Sequence, residues 1–244
     1  YVYTLVSGTG DTDNASFGIS DDKLETAEVF NFETKDTYSI RVQTDDGIGG
    51  IYEEAFIISI NDINDIPSDI MLSNASLDEE SPSGTQVGSF TSSDDDPTDS
   101  HSYSLVSGTG DTDNGLFAII GADLETDSIL DFETQETYSV RIKTDDGNGG
   151  TYEEVFVITV NDINDVPTDI SISESAIDEE QAIGITVGSL STTDDDAADT
   201  FTYSLVSGAG DADNSLFSIT GTDLETSAVF SFETQSTFSI RLRT

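Results

Sequence analysis

The sequence predicts an all-β protein made of tandem Greek-key β-sandwiches, each with seven strands, arranged as a linear rod. Three observations support this prediction. The chain repeats itself with a period of 100 residues, its apolar residues alternate with period two, and no segment has a helical period. A repeat of this length indicates a string of complete domains, because solenoid units have about 20 to 50 residues and cannot fold without their neighbours.

The repeat divides the chain into three copies. We predict a partial copy at 1–68 that lacks its first strands, a complete copy at 69–168, and a partial copy at 169–244 that lacks its last strand; these are the first, middle and third copies. The simplest expectation is a window cut from a longer array, and a subunit that exchanges strands with its neighbours is the alternative. The recurring motifs are YTLVSG or YSLVSG at Tyr3, Tyr103 and Tyr203, GDTDN or GDADN at Asp11, Asp111 and Asp211, NFET, DFET or SFET at Asn31, Asp131 and Ser231, TDDG at Thr44 and Thr144, and NDINDIP or NDINDVP at Asn61 and Asn161.

Strand patterns fill the middle copy. Five segments alternate with period two and are rich in Val, Ile, Tyr, Phe and Thr, which favours strands: 85–90, 101–106, 116–120, 137–144 and 153–160. Short strands near Asp69 and at 124–125 bring the number to seven, as in a Greek-key sandwich. Because 153–160 is apolar in both phases, we expect this strand to be central. Segments rich in Gly, Asp and Asn supply the turns.

The composition excludes several classes of protein. Fifty acidic residues against seven basic ones give a formal charge of −43, which argues against nucleic acid as a partner. No cysteine is present, so disulfides and thiolate metal sites are excluded, and no apolar run reaches the roughly 20 residues of a membrane span. A hydrophobic content of 35% still provides each copy with a core. The charge therefore indicates a supply of ligands for a hard cation.

The acidic residues concentrate in five motifs at strand ends, in loops and at the linker between copies. Two carboxylates about 4 Å apart repel each other by about 4 kcal/mol at an effective dielectric near 20, and a bound dication reverses that effect. Calcium takes six to eight oxygen ligands with tolerant geometry, whereas magnesium requires an octahedron and keeps its waters. Clusters that offer oxygen without His or Cys therefore favour calcium.

The ordered set LDEESPSGTQVG, SSDDDP, LDFET, TDDG and DINDVPTDI resembles that of cadherin repeats, in the form found in large bacterial surface proteins. The resemblance covers the whole chain and implies calcium ions held between successive copies. It also implies which residues bind them. The junction before the middle copy would use Glu33, Asp62, Asn64 and Asp65 with Asp94, Asp96 and Asp145; the junction after it would use Glu79, Asp131, Glu133, Asp162, Asn164 and Asp165 with Asp194 and Asp196.

The chain departs from the family pattern at two places. DINDVP is one residue shorter than the linker of animal cadherins, which puts one carbonyl ligand and one ion of the family pattern in doubt. Asn31 and Ser231 stand where the middle copy has Asp131. We therefore expect the earlier junction to bind calcium more weakly.

Other motifs have simpler interpretations. GDTDN is explained by turns stabilised by Asp and Asn side chains, with a further calcium loop as the alternative. Glu153 and Glu154 point to opposite faces of one strand and cannot act as a glycosidase pair. His101 is the only histidine, and we expect a surface position for it. Asn14-Ala-Ser and Asn74-Ala-Ser match the N-glycosylation pattern, which also recurs by chance.

These expectations combine into a non-enzymatic, extracellular function. We expect a calcium-binding structural module of a bacterial adhesin or filament, in which calcium ions rigidify a rod of copies. Identical chains in a fibre or adhesive contact, and glycans, are the expected partners. A spacer array in a secreted enzyme is one alternative, and a carbohydrate-binding module that uses Tyr52 and Tyr152 for stacking is another.

Overall fold

The computed structural model describes all residues, Tyr1–Thr244, and confirms the all-β fold class. The chain divides into two compact units. Unit 1 comprises Tyr1–Leu77, Ser81–Ile129 and Thr137–Thr159; unit 2 comprises Asp78–Glu80, Leu130–Glu136 and Val160–Thr244. No helix is long and apolar enough to cross a membrane.

The first copy contributes five strands. They are β1 (Val2–Leu5), β2 (Phe17–Ser20), β3 (Lys23–Thr26), β4 (Thr37–Asp45) and β5 (Ile51–Ser59), with a one-turn 3-10 helix at Asn14–Ser16 before β2. Strand β4 pairs antiparallel with β1 on one side and with β5 on the other, and β2 pairs with β3. Their core contains Phe17 from β2 with Tyr38 and Ile40 from β4, where alternate residues point inward.

The middle copy forms two four-stranded sheets from eight strands: β6 (Asp69–Leu72), β7 (Ser76–Asp78), β8 (Gln86–Ser93), β9 (Ser102–Leu105), β10 (Phe117–Ile120), β11 (Asp123–Thr126), β12 (Thr137–Asp145) and β13 (Thr151–Asn161). The sheet orders are β10-β11-β8-β6 and β7-β13-β12-β9. Every predicted segment is a strand. The three-residue β7 was not predicted, because so short a run shows no alternation.

Strand β13 is central in its sheet, as predicted. Ile158 and Val160 are buried, whereas Val155 and Val157 on the opposite phase are 39% and 56% exposed. The strand is thus apolar on both phases although only one of them faces the core. On the exposed phase Glu153 forms an ion pair with Arg141 at 2.9 Å.

The third copy belongs to unit 2 and has six strands: β14 (Asp169–Ile172), β15 (Thr186–Thr193), β16 (Ser204–Leu205), β17 (Phe217–Thr220), β18 (Asp223–Thr226) and β19 (Leu242–Arg243). The sheet order β14-β15-β18-β17 repeats that of β6, β8, β11 and β10 in the middle copy. Phe217, Phe230 and Phe238 pack against one another and line an open apolar groove.

The GDTDN motifs stabilise a loop between strands. In the middle copy the Asp113 carboxylate accepts a hydrogen bond from Ser139 N at 2.7 Å. Asn114 accepts one from Arg141 N at 2.9 Å and donates one to Val106 O at 3.0 Å. The equivalent bonds recur in the other two copies. This use of the Asp and Asn side chains agrees with the turn interpretation.

Candidate metal centres

Carboxylates gather at two places, one in each unit. The first acidic site lies in unit 1 and the second acidic site in unit 2, and within each group named here the carboxylate oxygens lie within 4.8 Å of one another. The first acidic site contains two groups, Glu33–Asp62–Asp96 and Asp94–Asp99–Asp146, with Asp65 beside them. The second acidic site contains three groups, Glu79–Glu133–Asp165, Glu133–Asp162–Asp196 and Asp194–Asp196–Asp199.

The linker between copies closes the first acidic site. Asp65 N, in the linker after the first copy, donates to Asp96 Oδ2 of the middle copy at 2.6 Å. Partial loss of hydration raises the pKa of Asp65, and the nearby Asp96 carboxylate raises it further. The pKa of Glu33 is raised by the same loss of hydration, then by Asp62 and Asp96. The carboxylates of two successive copies are therefore held together in spite of their repulsion.

Asp146 is the most completely buried carboxylate of the first acidic site, at 1% exposure. Its Oδ1 accepts hydrogen bonds from the backbone N–H groups of residues 148, 149 and 150, and its Oδ2 accepts one from Asn64 Nδ2 at 3.0 Å. The bond from Asn64 is the main reason that the pKa of Asp146 lies below its ordinary value. Gly150 is required here, because a Cβ at this position would overlap the Asp146 carboxylate and Ile66.

The structure places Asp146, and not the predicted Asp145, in the acidic site. Thr144 and Asp146 are both buried, since they continue the inward phase of β12, whereas Asp145 points the other way. The Asp145 carboxylate accepts a hydrogen bond from Gly147 N at 3.0 Å and belongs to none of the carboxylate groups.

Glu79 is the centre of the second acidic site and is 2% exposed. Its Oε1 accepts a hydrogen bond from Ile163 N at 2.7 Å, and its Oε2 accepts one from Phe132 N at 2.8 Å. One side chain thus joins the loop before β12 to the linker after β13.

Residues of the middle and third copies meet in the second acidic site. Asp165 N, in the linker, donates to Asp196 Oδ2 of the third copy at 2.7 Å. Loss of hydration is the main cause that raises the pKa values of Glu133, Asp162 and Asp165. Repulsion by neighbouring carboxylates raises them further, and the Glu79 carboxylate acts on all three. The Asn164 side-chain amide donates to Asp165 O. This linker repeats the one at Asp65, 100 residues earlier.

Asp131 was predicted to belong to this site, but its carboxylate caps a local turn. Oδ1 accepts a hydrogen bond from Thr134 N at 2.8 Å, and Oδ2 accepts one from Thr134 Oγ1 at 3.1 Å. Asn31 caps the same turn in the first copy through a bond from Thr34 N at 2.8 Å. Asn and Asp are therefore equivalent in this local role.

Three acidic residues that were not predicted belong to the groups: Asp99, Asp146 and Asp199. Asp99 and Asp199 occupy the same position in two copies, and this recurrence was the available signal. Asp99 Oδ2 and Asp194 Oδ2 are inaccessible to solvent and have no hydrogen-bond partner. Buried carboxylate oxygens without a partner carry a cost that a bound cation relieves.

His101 is not at the surface as predicted. Its side chain is 15% exposed, and Nε2 lies 3.0 Å from Asp94 Oδ2. Asp94 directly follows β8, and His101 directly precedes β9, so the contact joins the two ends of the loop between these strands.

The donor set fits a calcium ion. Each acidic site offers carboxylate oxygens from several loops, and none of the five carboxylate groups includes a histidine or cysteine. Calcium accepts many oxygens at irregular angles, which suits a site assembled from separate loops.

Comparison with known proteins identifies what the chain resembles. Residues 73–161 match the family described as Cadherin domain. Protocadherin Fat 4 of Mus musculus is 29% identical over 216 residues, and Protocadherin Fat 2 of Mus musculus is 30% identical over 204 residues. These matches cover 84% and 78% of this chain but only 4% and 5% of the two relatives.

Solved structures share the fold. The protocadherin gammaB7 EC3-6 cis-dimer structure aligns with a TM-score of 0.69 and 23% identity, covering 99% of this chain and 61% of that one. Mouse cadherin-23 EC22-24 aligns with a TM-score of 0.66 and 22% identity, covering 95% and 77%. The chain thus has the fold of tandem cadherin repeats, and its middle copy matches the cadherin domain family in sequence.

Proposed function

We propose that this chain is a calcium-binding structural module of an extracellular adhesive protein or filament. Calcium ions at the two acidic sites would bridge successive copies and hold them in a fixed orientation. The role is mechanical rather than catalytic, and identical chains are the proposed partners. The expected bacterial source remains a prediction, since the curated relatives that match are animal proteins.

One observation carries the proposal: each acidic site combines carboxylates from two successive copies. Asp96 contacts the preceding linker through Asp65 N, and Asp196 contacts the next linker through Asp165 N. A cation bound at such a place contacts both copies, so that bending the linker would require breaking its coordination. The proposed ligands are those of the carboxylate groups, with Asn64 and Asn164 supporting the linkers.

Calcium also supplies what the carboxylates lack. The raised pKa values of Glu33, Asp65, Glu133, Asp162 and Asp165 indicate that ionisation is opposed in the folded chain. A dication reverses that opposition. Extracellular calcium modules bind with dissociation constants of roughly 0.1 to 1 mM, so the copies would be held rigidly outside a cell and loosely at low calcium.

The test combines calorimetry with small-angle X-ray scattering on the chain, first in millimolar calcium and then in excess chelator. We expect calcium binding by calorimetry and a maximum dimension that shrinks or blurs on chelation while the strands stay folded by circular dichroism. An unchanged scattering profile together with the absence of binding heat would refute the proposal.

The carbohydrate-binding alternative receives less support. Tyr52 is 63% exposed, but Tyr152 is half-buried and lies opposite the buried Thr144. The two tyrosines are therefore not equivalent stacking platforms, and we do not extend the proposal to glycans.

A further inference from the structure

The two acidic sites differ at one aspartate that occupies the same position in both. In the first acidic site, Asp94 Oδ1 accepts a hydrogen bond from Asp96 N at 3.2 Å, and Oδ2 lies 3.0 Å from His101 Nε2. The Asp94 side chain is only 3% exposed. Both of its oxygens therefore have partners within the protein.

The second acidic site lacks this histidine. Phe201 stands 100 residues after His101, and an aromatic hydrocarbon cannot donate a hydrogen bond. Asp194 Oδ1 accepts the equivalent bond from Asp196 N at 3.2 Å, whereas Asp194 Oδ2 is inaccessible to solvent and has no partner. The same carboxylate is thus satisfied in one site and unsatisfied in the other.

We propose that His101 is a positioning residue that weakens calcium binding at the first acidic site, and that Phe201 strengthens it at the second. The inference rests on the proposed function. It states how the residue at this position changes the calcium affinity of its own site.

The physical reason is the state of each site before the cation binds. A buried carboxylate oxygen without a partner is costly, and its cost is removed when a cation coordinates the carboxylate. Asp194 gains this relief on binding. Asp94 gains less, because the imidazole N–H already provides a partner for Oδ2. At this aspartate, binding therefore changes the free energy more where phenylalanine stands than where histidine stands. Asp99 Oδ2 in the first acidic site also has no partner, and the exchange of His101 leaves that oxygen unchanged.

The test exchanges the two residues in the full chain. His101→Phe removes the donor from the first acidic site, and Phe201→His adds one to the second. His101→Gln is the matched control, because the glutamine amide can place a donor near the position of Nε2. Calcium titrations are followed by the backbone amide resonances of Asp65 and Asp165, which report separately on the two sites through their bonds to Asp96 and Asp196.

For His101→Phe we expect the half-saturating calcium concentration at Asp65 to fall about tenfold, with Asp165 unchanged. For Phe201→His we expect the midpoint at Asp165 to rise about tenfold. His101→Gln should resemble the unmodified chain. The Tm of His101→Phe should fall more in chelator than in calcium, because calcium replaces the lost partner.

Three results would overturn the inference. One is unchanged midpoints in both exchange variants, another is an equal fall in Tm with and without calcium, and the third is a glutamine variant that behaves like the phenylalanine variant. If His101→Phe does not fold, the midpoint of Phe201→His decides alone. An unmodified chain whose Asp65 and Asp165 resonances do not respond to calcium refutes the proposed function itself.

Discussion

Replacement of Glu79 by glutamine tests the second acidic site most directly. The side chain is 2% exposed, and its two oxygens accept hydrogen bonds from Ile163 N and Phe132 N. Glutamine keeps one acceptor oxygen and turns an NH₂ group toward the other backbone N–H. One charge-assisted bond is therefore lost, which costs about 1.5 to 3 kcal/mol.

A compensating effect operates only without calcium. The Glu79 carboxylate lies in one group with those of Glu133 and Asp165, and removing its charge relieves their repulsion. In chelator we expect the lost bond and the relieved repulsion to offset each other largely, so that Tm changes little. In calcium the chain also loses a charged ligand, and we expect a fall in calcium affinity of at least tenfold and a clear fall in Tm.

The matched control is Glu179→Gln in the third copy. Glu179 occupies the same repeat position and accepts a hydrogen bond from Phe232 N at 3.0 Å, but it belongs to none of the carboxylate groups. Calorimetry and thermal unfolding followed by circular dichroism, each with and without calcium, measure both variants. An equal calcium affinity for Glu79→Gln and the unmodified chain would refute the assignment of Glu79 to a cation site.

Three further predictions concern the support of these sites. Gly150→Ala should lower Tm and weaken calcium binding, because the added methyl group displaces the Asp146 carboxylate. Gly115→Ala is the control and should change neither quantity in the same assays, because the space around its Cβ position is open. Equal behaviour of the two variants would contradict this prediction. Asn114→Ala should lower the free energy of unfolding by about 2 kcal/mol, because two part-buried hydrogen bonds are lost. Urea titrations should give the same loss with and without calcium. A loss seen only in calcium would instead indicate that this loop binds a cation. In chelator, the free energy of unfolding should rise as the pH falls from 7 toward about 5, because the raised pKa values of Glu33, Asp65, Glu133, Asp162 and Asp165 let the folded chain bind protons that the unfolded chain does not. Below about pH 4 this gain should reverse, because Asp13, Asp46 and Asp146, whose pKa values are lowered, become protonated. In saturating calcium, lowering the pH should only decrease the free energy of unfolding. Urea titrations across pH measure both effects, and a free energy of unfolding in chelator that rises between pH 5 and 7 would contradict the reasoning.

Local patterns were sufficient for the strands. Residues of β12 alternate between solvent and core because adjacent side chains of a strand point to opposite faces, and that property is written in the sequence. The same holds for the 100-residue period, which places one acidic site at each of two linkers. Most carboxylates of both sites were therefore predictable, among them Glu79 and Asp96.

The choice between neighbouring acids was not predictable in the same way. Asp146 is selected over Asp145 by the bend after β12 and by Asn64, which reaches it from a position 82 residues earlier in the chain. Asp131 and its turn satisfy each other locally, so that a motif match alone could not show which way the carboxylate points.

The sequence by itself determined the repeat, the strand phases, the oxygen-rich chemistry and the places where that chemistry concentrates. These follow from local alternation and from identical motifs in successive copies. Only the tertiary structure decided which carboxylate oxygens converge. It also decided that Asp94 Oδ2 contacts a histidine and that Asp194 Oδ2 has no hydrogen-bond partner. The physical reason is that hydrogen bonding and burial at a junction depend on segments distant in sequence, whose contacts form only when both copies have folded.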